Sequence, residues 1–333
     1  MKIVFHGANA LTFRMGFETL LRDRHDIQVV PDDLASPGAR AAYQAANVII
    51  GVRLTASMPV ATRLRLYHVP GAGYDGIDMA ALPAGARLCN CFGHENAIAE
   101  YVMAALLARH VPLADADRRL RQGDWKYWAG GPSGLHGELG ATSLGILGFG
   151  HIGKAVAARA KAFGMTVTVA NRSAVSAPEL VDRAYALADL ASFMGSADAI
   201  VITLPLTEET QGLIGARELA AMRAEAVIVN VGRGPVIDEA ALYAALKDRR
   251  IGGAIIDTWY VYPGAGAPNP LPASLPFHEL DNVLMTPHMS GWTGGTIRRR
   301  QQSMAENVNR LAAGEQLLNL VPVTGATLPQ AEP

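Results

Sequence analysis

Three apolar runs in this sequence end close to a side chain that can do chemistry. Arg233 follows "VIVNVG", Asp257 follows "AII", and His288 follows "VLMTP". A guanidinium can bind an anion, a carboxylate can orient a polar group, and an imidazole can exchange a proton near neutral pH. If these runs are parallel strands, their carboxyl ends meet at one edge of a sheet, and we expect the three side chains to converge there.

A glycine-rich segment, "LGILGFGHIGKAVAARAKAFG", predicts a second kind of site. Three glycines stand in G-x-G-x-x-G spacing between an apolar run and a helix-forming run. The first glycine permits a tight turn, the second lets the main chain approach a pyrophosphate, and the third lets helix and strand pack closely. The helix that follows offers its first N–H groups to the phosphates. The dinucleotide-binding residues predicted here are Gly148, Gly150, His151, Ile152 and Gly153.

The end of the next apolar run indicates which dinucleotide is preferred. NAD sites usually place an acid there to hold the ribose 2′-hydroxyl, but this chain has Asn171, followed by Arg172 and Ser173. A carboxylate would repel a 2′-phosphate, whereas arginine can pair with it and serine can donate a hydrogen bond. We therefore expect NADP to be preferred, with NAD as a possible alternative.

The composition limits the class of protein. The chain has 333 residues, half of them hydrophobic, and a net charge of −1, so it has no electrostatic reason to bind nucleic acid or an anionic membrane. It begins on a predicted strand rather than a signal peptide, and no apolar run approaches the ~20 residues that span a bilayer. Cys89 and Cys91 fit a reducing, cytoplasmic location. No His/Cys cluster has metal-ligand spacing, so we predict no metal.

Apolar runs and amphipathic stretches alternate along the chain, which predicts an α/β fold with parallel sheets and helices on both faces. The runs form two groups. The first ends near Cys91, and the second begins at Ser143 and ends near Thr286. A helix is expected between the groups, from about Asn96 to Ala108, and another after the second group, with Gly314 as its C-cap.

These features together resemble the D-isomer-specific 2-hydroxyacid dehydrogenases, a family that includes glyoxylate/hydroxypyruvate reductases and formate dehydrogenase. Six motifs occur in the family's order and cover almost the whole chain. They are "GAGYDGID" (71–78), "NAIAEYVMAALLA" (96–108), "LGILGFGHIGK" (144–154), "TLPLTEETQGLI" (203–214), "VNVGRGPVIDEAAL" (229–242) and "NVLMTPHMSG" (282–291).

The resemblance implies two Rossmann-like or flavodoxin-like domains with an active-site cleft between them. The substrate domain would be discontinuous, with residues 1–95 and 291–333, and residues 96–290 would form the dinucleotide-binding domain. It also implies a homodimer, with the helix after Glu95 and the loop near Trp125 in the dimer contact.

The same resemblance implies roles for individual residues. Arg233 would bind the carboxylate and carbonyl of a small 2-oxo acid, and the main-chain N–H groups of Ala72 and Gly73 would bind the other edge of the carboxylate. His288 would give a proton to the carbonyl oxygen as a hydride arrives from the nicotinamide. His94, where many relatives have asparagine, would lie at the substrate. Further cofactor contacts would come from Leu204, Pro205, Val231, Gly232, Asp257 and Gly291, with Asp257, Val231 and Gly232 orienting the carboxamide.

One residue departs from the family's pattern. Relatives carry a glutamate five positions after the residue that corresponds to Asp257, and it keeps the catalytic histidine protonated; this chain has Tyr262 there. Formate dehydrogenase has a neutral glutamine at that position. A phenol supplies a hydrogen bond but no charge, so the pKa of His288 should stay near its ordinary value. We expect Tyr262 to hydrogen-bond His288 and reduction to be fastest on the acid side of neutrality.

Two questions stay open in the sequence. The first is whether the aromatic residues around Tyr262, namely Trp259, Tyr260 and Trp292, line a pocket. The second is the reaction itself. The leading interpretation is an NADP-dependent reductase of small 2-oxo acids such as glyoxylate or hydroxypyruvate. The alternatives are an enzyme that oxidises a small anion such as formate or phosphite, and a dinucleotide-sensing protein without catalysis.

Overall fold

The structure is a computed structural model that describes residues 1–264 and 266–322. The chain divides into two compact units: unit 1 comprises Met1–Gly93 and Thr293–Pro333, and unit 2 comprises His94–Trp292. Residues 323–333 of the predicted substrate domain lie outside the described part. What each unit binds is not shown by this division, so the domain roles remain predictions.

The described residues form twelve strands and nine α-helices, numbered in chain order. The strands are β1 Lys2–His6, β2 Asp26–Val30, β3 Val48–Ile50, β4 Leu66–His68, β5 Arg87–Cys89, β6 Ser143–Leu147, β7 Thr166–Asn171, β8 Arg183–Ala186, β9 Ala199–Ile202, β10 Val227–Asn230, β11 Gly253–Ile256 and β12 Val283–Met285. The helices are α1 Gly7–Leu11, α2 Pro37–Gln44, α3 Glu95–His110, α4 Leu113–Leu120, α5 His151–Ala162, α6 Leu190–Met194, α7 Ala216–Ala220, α8 Glu239–Lys247 and α9 Gly294–Ala313.

Unit 1 is built on a parallel sheet of five strands in the order β2-β1-β3-β4-β5. One face of the sheet packs against α2, and the other packs against the apolar side of α9. Helix α9 begins after Thr293, whose side chain accepts a hydrogen bond from the N–H of Thr296, and it ends at Gly314 with φ +74°. The C-cap predicted from the sequence is therefore confirmed, and its left-handed backbone is the conformation that glycine adopts at least cost.

Unit 2 is built on a parallel sheet of seven strands in the order β12-β11-β10-β9-β6-β7-β8. Strands β9, β10 and β11 are buried on both faces because helices cover both sides of the sheet. Helices α3 and α5 pack on one face, while α6, α7 and α8 pack on the other. The predicted α/β class with parallel sheets is confirmed. Edge strand β8, "RAYA", was not predicted, because its side chains are largely exposed and carry no apolar pattern.

No single described helix has both the length and the apolar character needed to cross a bilayer. Helices α3 and α4 meet that requirement only when they are taken together, and the chain bends by 49° between them.

Candidate active site

Three neighbouring strands of unit 2 bring Arg233, Asp257 and His288 to one edge of the sheet. Arg233 follows β10, Asp257 follows β11, and His288 follows β12, and these strands are adjacent in the sheet. All pairs are parallel, so all three carboxyl ends lie on the same side. The three strands therefore end side by side at one edge of the sheet, as the sequence predicts.

A buried asparagine holds the turn that carries Arg233. The Oδ1 atom of Asn230 accepts the N–H of Gly232 at 3.1 Å, and its Nδ2 donates to the carbonyl of Arg233 at 3.0 Å. The half-buried Arg233 places its own Nη1 2.8 Å from the carbonyl of Gly232, where it donates a hydrogen bond. Sequence reasoning missed Asn230, although an asparagine at a strand end is a signal for such a turn.

Asp257 holds the segment that carries His288. Its side chain is fully buried, and its Oδ1 accepts hydrogen bonds from the hydroxyl of Thr286 at 2.7 Å and the N–H of Met289 at 2.8 Å. Its Oδ2 accepts the N–H of Ser290 at 3.0 Å. These hydrogen bonds fix the main chain on the C-terminal side of His288, and the expected contact of Asp257 with a carboxamide stays a prediction.

His288 itself has a left-handed backbone with φ +57°. This conformation costs a non-glycine residue roughly 1 kcal/mol or more, so the surroundings must enforce it. The N–H of His288 donates to the carbonyl of Thr286 at 3.1 Å, and the two residues after it are held by Asp257. The imidazole is exposed and its direction is set by this constrained turn.

The hydroxyl of Tyr262 lies 2.9 Å from Nδ1 of His288, so the hydrogen bond expected between these two residues is confirmed. Tyr262 is 46% exposed, which leaves the pair open to water. The main-chain N–H of Trp259 also donates to the Tyr262 oxygen at 3.1 Å.

The other aromatic residues of this loop belong to the core. Trp259 is 3% exposed and donates its indole N–H to the carbonyl of Thr286 at 2.8 Å. Tyr260 stacks on Phe277 and donates its hydroxyl to the carbonyl of Ile237, and burial raises its pKa well above the ordinary value. The idea that Trp259 and Tyr260 line a pocket is therefore wrong, because both rings pack inward. Trp292 is 45% exposed.

The glycine loop after β6 has the shape that a pyrophosphate needs. Gly148 has φ +95°, and its carbonyl accepts the hydroxyl of Thr203 at 2.8 Å. A Cβ on Gly153 would collide with the carbonyl oxygen of Gly148, so helix α5 approaches the strand as closely as glycine allows. A Cβ on Gly150 would meet nothing within 4 Å, and no side chain caps the start of α5. Open space therefore faces the first N–H groups of His151 and its neighbours, which fits a bound phosphate.

The side chain of Asn171 supports this loop. Its Oδ1 accepts the N–H of Phe149 at 3.2 Å, and its Nδ2 donates to the carbonyl of Ser173 at 3.0 Å. The Arg172 side chain between them is exposed. The pKa of the Glu209 carboxyl is lowered mainly by a hydrogen bond from the Thr207 hydroxyl and, to a smaller degree, by the charge of Arg172.

The remaining predicted cofactor residues of unit 2 lie around the same strand ends. The side chain of Leu204 reaches to 2.9 Å from the position that a Cβ on Gly148 would take. Pro205 is exposed, whereas Val231 and Gly232 are buried. A Cβ on Gly291 would approach Cβ of His94 to 3.3 Å, so these two residues pack together at the start of α3, and His94 is buried.

The predicted anion-binding residues Ala72 and Gly73 lie in unit 1, in the loop after β4. The carbonyl of Gly71 accepts the N–H of Cys91 at 3.0 Å, and the carbonyl of Ala72 accepts Nδ2 of Asn90 at 2.8 Å. Within the described part of the chain, the N–H groups of Ala72 and Gly73 donate to no main-chain carbonyl. The carbonyls of Gly71 and Ala72 hold the loop in place, so the N–H groups of Ala72 and Gly73 can bind an anion.

Within residues 1–264 and 266–322, no group of three or more His, Cys, Asp or Glu side chains converges as metal ligands do.

Comparison with known proteins identifies relatives of the chain. The family described as "D-isomer specific 2-hydroxyacid dehydrogenase, NAD binding domain" matches residues 103–290. Glyoxylate reductase of Korarchaeum cryptofilum is 35% identical over 266 residues, which are 78% of this chain and 77% of that protein. Glyoxylate reductase of Aeropyrum pernix is 36% identical over 268 residues, with the same two coverages.

A solved structure shows the same fold over almost the whole chain. It is a D-isomer specific 2-hydroxyacid dehydrogenase from Xanthobacter autotrophicus Py2 in complex with NADPH and MES. The two chains are 26% identical with a TM-score of 0.79, and the match covers 96% of this chain and 98% of the other.

Proposed function

We propose that this chain, which belongs to the D-isomer specific 2-hydroxyacid dehydrogenase family, reduces small 2-oxo acids such as glyoxylate or hydroxypyruvate with a nicotinamide dinucleotide. The convergence of Arg233 and His288 at the ends of β10 and β12 carries this proposal. The glycine loop in the same unit is evidence for a dinucleotide cofactor. The similarity to two glyoxylate reductases is evidence for the substrate class.

Arg233 and His288 have complementary tasks in this reaction. Addition of a hydride to a carbonyl carbon places negative charge on the oxygen, and a guanidinium stabilises that charge. The oxygen then needs a proton, which an imidazole can deliver. When bound, the nicotinamide supplies the hydride. The N–H groups of Ala72 and Gly73 would hold the substrate's carboxylate, and the loop that carries them is fixed through the carbonyls of Gly71 and Ala72, which accept hydrogen bonds from Cys91 and Asn90.

The cofactor would lie at the glycine loop, with its pyrophosphate at the start of α5 and its adenine ribose near the end of β7. We propose that NADP is preferred over NAD. Asn171 carries no charge to repel a 2′-phosphate, and Arg172 is exposed beside it and can pair with that phosphate. The nearby Glu209 weakens this preference, since its charge competes for the same guanidinium.

A homodimer is the assembly that the surface of unit 2 supports best. The segment from α4 to residue 135 exposes several large apolar side chains, and a second copy of the chain would cover them. They are Leu113, Leu120, Trp125, Trp128 and Leu135, each at least 51% exposed. Light scattering on the purified protein would test this, because a mass near 35.2 kDa would identify a monomer. The two free, buried cysteines support a cytoplasmic location.

The first experiment follows NADPH consumption by the purified protein with glyoxylate and then hydroxypyruvate. We expect clear turnover that is lost in His288→Asn and retained in His278→Asn, a matched change at an exposed histidine of the same unit. Turnover that survived in His288→Asn would contradict the assignment of the proton donor.

The same experiment separates the alternatives. An enzyme that oxidises a small anion would instead form NADPH from NADP⁺ with formate or phosphite and leave glyoxylate untouched. A dinucleotide sensor would bind NADPH, as seen by calorimetry, without turnover of any of these compounds. Binding of NADH more tightly than NADPH would overturn the cofactor preference but not the reaction.

A further inference from the structure

The oxygen of Tyr262 lies between a hydrogen-bond donor and a ring nitrogen. On one side the main-chain N–H of Trp259 donates to it at 3.1 Å, and on the other side Nδ1 of His288 lies at 2.9 Å. The donor cannot move aside, because the Trp259 side chain is buried and its indole N–H is bound to the carbonyl of Thr286.

This placement favours one direction for the second hydrogen bond. A phenol has one O–H and accepts best in the plane of its ring, and a main-chain N–H can only donate. Since the N–H of Trp259 donates to the Tyr262 oxygen, the arrangement favours a hydroxyl proton that points to Nδ1 of His288. A neutral imidazole that accepts at Nδ1 must carry its own proton on Nε2. A glutamate in the place of Tyr262 would give the opposite result, because a carboxylate can only accept and would hold the proton on Nδ1.

We propose that Tyr262 donates its proton to Nδ1 of His288, keeps the neutral ring protonated on Nε2, and replaces that proton when His288 gives it to the substrate. Tyr262 is thus a positioning residue and proton reserve that acts through His288. This inference rests on the proposed function, since it assigns a route for the proton in carbonyl reduction.

The transfer balances as follows. As hydride adds to the carbonyl carbon, the π electrons of the carbonyl move to its oxygen. The Nε2–H bond breaks and an O–H bond forms on the product, while the O–H bond of Tyr262 breaks and an Nδ1–H bond forms. A phenolate remains, which the N–H of Trp259 stabilises. A phenol is a stronger acid than an aliphatic alcohol, so this shift favours the product.

The pair can return to its starting state after the product leaves. Water protonates Nε2 of the exposed His288, and the proton on Nδ1 returns to the phenolate oxygen of Tyr262. One proton has then been taken from solvent for each turnover, as the reduction of a carbonyl requires. The 46% exposure of Tyr262 keeps solvent close to both groups.

This arrangement changes the pH dependence expected from the sequence. A neutral pair can deliver a proton without forming imidazolium, so reduction is not confined to acid pH. Charged side chains at the neighbouring strand ends include Asp257, whose carboxylate is taken up by main-chain N–H groups, and Arg233, which follows β10. Tyr260 is titratable too, but its hydroxyl is bound to a main-chain carbonyl.

The first test reads the tautomer directly in the full chain without cofactor or substrate. Nitrogen-15 shifts of the histidine rings distinguish a protonated Nδ1 from a protonated Nε2, and His288→Asn identifies the signal of His288 among the 9 histidines. At a pH where the ring is neutral, we expect Nε2–H in the natural protein, a mixture of both forms in Tyr262→Phe, and Nδ1–H in Tyr262→Glu. An Nδ1–H form in the natural protein would overturn the proposal.

A second test measures kcat for glyoxylate reduction against pH. In the natural protein we expect a level profile through neutrality, with a fall only where tyrosine ionises. In Tyr262→Phe the rate should fall about tenfold for each pH unit above the pKa of imidazolium. Identical pH profiles in the natural protein and in Tyr262→Phe would refute the role of Tyr262 as a proton reserve. Because the tautomer is read without turnover, a failure of the proposed function and a failure of this inference are distinguishable.

Discussion

Two histidines at strand ends, one in each unit, show how surroundings decide what an imidazole does. His68 ends β4 in unit 1 and is completely buried. Its Nδ1 donates to the carbonyl of Val69 at 3.1 Å, and its Nε2 accepts Nδ2 of Asn307 at 3.0 Å. Asn307 is itself fixed by Leu318, whose N–H and carbonyl bind its amide.

His288 follows β12 in unit 2 and is exposed. Its Nδ1 faces the hydroxyl of Tyr262, and its backbone is left-handed because Asp257 holds the residues after it. Both nitrogens of His68 serve the fold, whereas Nε2 of His288 is the atom that the proposed reaction uses. The partners also set opposite tautomers, with the proton on Nδ1 in His68 and, as proposed, on Nε2 in His288.

The largest effects should come from removing each of these two imidazoles in turn. His288→Asn should lower kcat for glyoxylate reduction about a thousandfold, because the proton donor is lost, with little change in stability. His68→Ala should leave the activity of the folded fraction intact but lower the free energy of unfolding by about 3 kcal/mol. The change creates a cavity and leaves the side-chain N–H of Asn307 without its acceptor. Steady-state kinetics and urea denaturation of both variants would check this.

The contrast between His68 and His288 would be wrong if each of the two variants lost both activity and stability. A matched control is His278→Asn, which changes an exposed histidine and should alter neither quantity.

The buried histidine should also make stability depend on pH. Burial lowers the pKa of His68 from 6.5 to about 4. Above 6.5 the ring is neutral in both folded and unfolded chains. As pH falls from 6.5 towards 4, only the unfolded chain gains the proton, so folding loses up to about 3 kcal/mol.

Denaturant titrations between pH 7 and pH 4 would measure this loss. His6, His25 and His110 also have pKa values lowered mainly by burial, so they add to the slope. The contribution of His68 is therefore the difference between the natural protein and His68→Gln, whose curve should be flatter. Parallel curves would show that His68 does not resist protonation.

A smaller effect is expected for Asp257→Asn, which tests whether the His288 segment is held by a carboxylate. The amide can accept one of the two N–H groups at residues 289 and 290 but presents a donor to the other. We expect the free energy of unfolding to fall by about 2 kcal/mol. The rate should fall as well, with kcat affected more than KM for substrate, because the position of His288 is loosened. A KM for NADPH that rose while kcat held would instead favour direct contact between Asp257 and the cofactor.

The smallest effect concerns Arg172, whose exposed side chain makes no hydrogen bond within the described part of the chain. Arg172→Ala should raise KM for NADPH about tenfold and leave KM for NADH unchanged, since only NADPH carries the 2′-phosphate. Arg217→Ala, at an exposed arginine on α7, is the control. Equal changes for both cofactors would remove the basis for a preference for NADP.

Part of the site could be predicted from the sequence because it depends on local pattern. Apolar runs placed the strands, and parallel strands gather their carboxyl ends, so Arg233, Asp257 and His288 were expected at one edge. The contact between Tyr262 and His288 followed from spacing within a family motif. The edge strand β8 was missed because exposure removes the apolar signal on which such a prediction depends.

What the sequence by itself determined was therefore the α/β class, the glycine loop and the residue types at the strand ends. Only the tertiary structure decided where their side chains point. It turned Asp257 towards the main chain of residues 289 and 290, sent Trp259 into the core, and set the N–H of Trp259 against the oxygen of Tyr262. It also joined His68 to Asn307 across 239 positions of sequence. The reason is that a strand fixes side-chain direction by alternation only within its length, and beyond its end packing against distant segments decides.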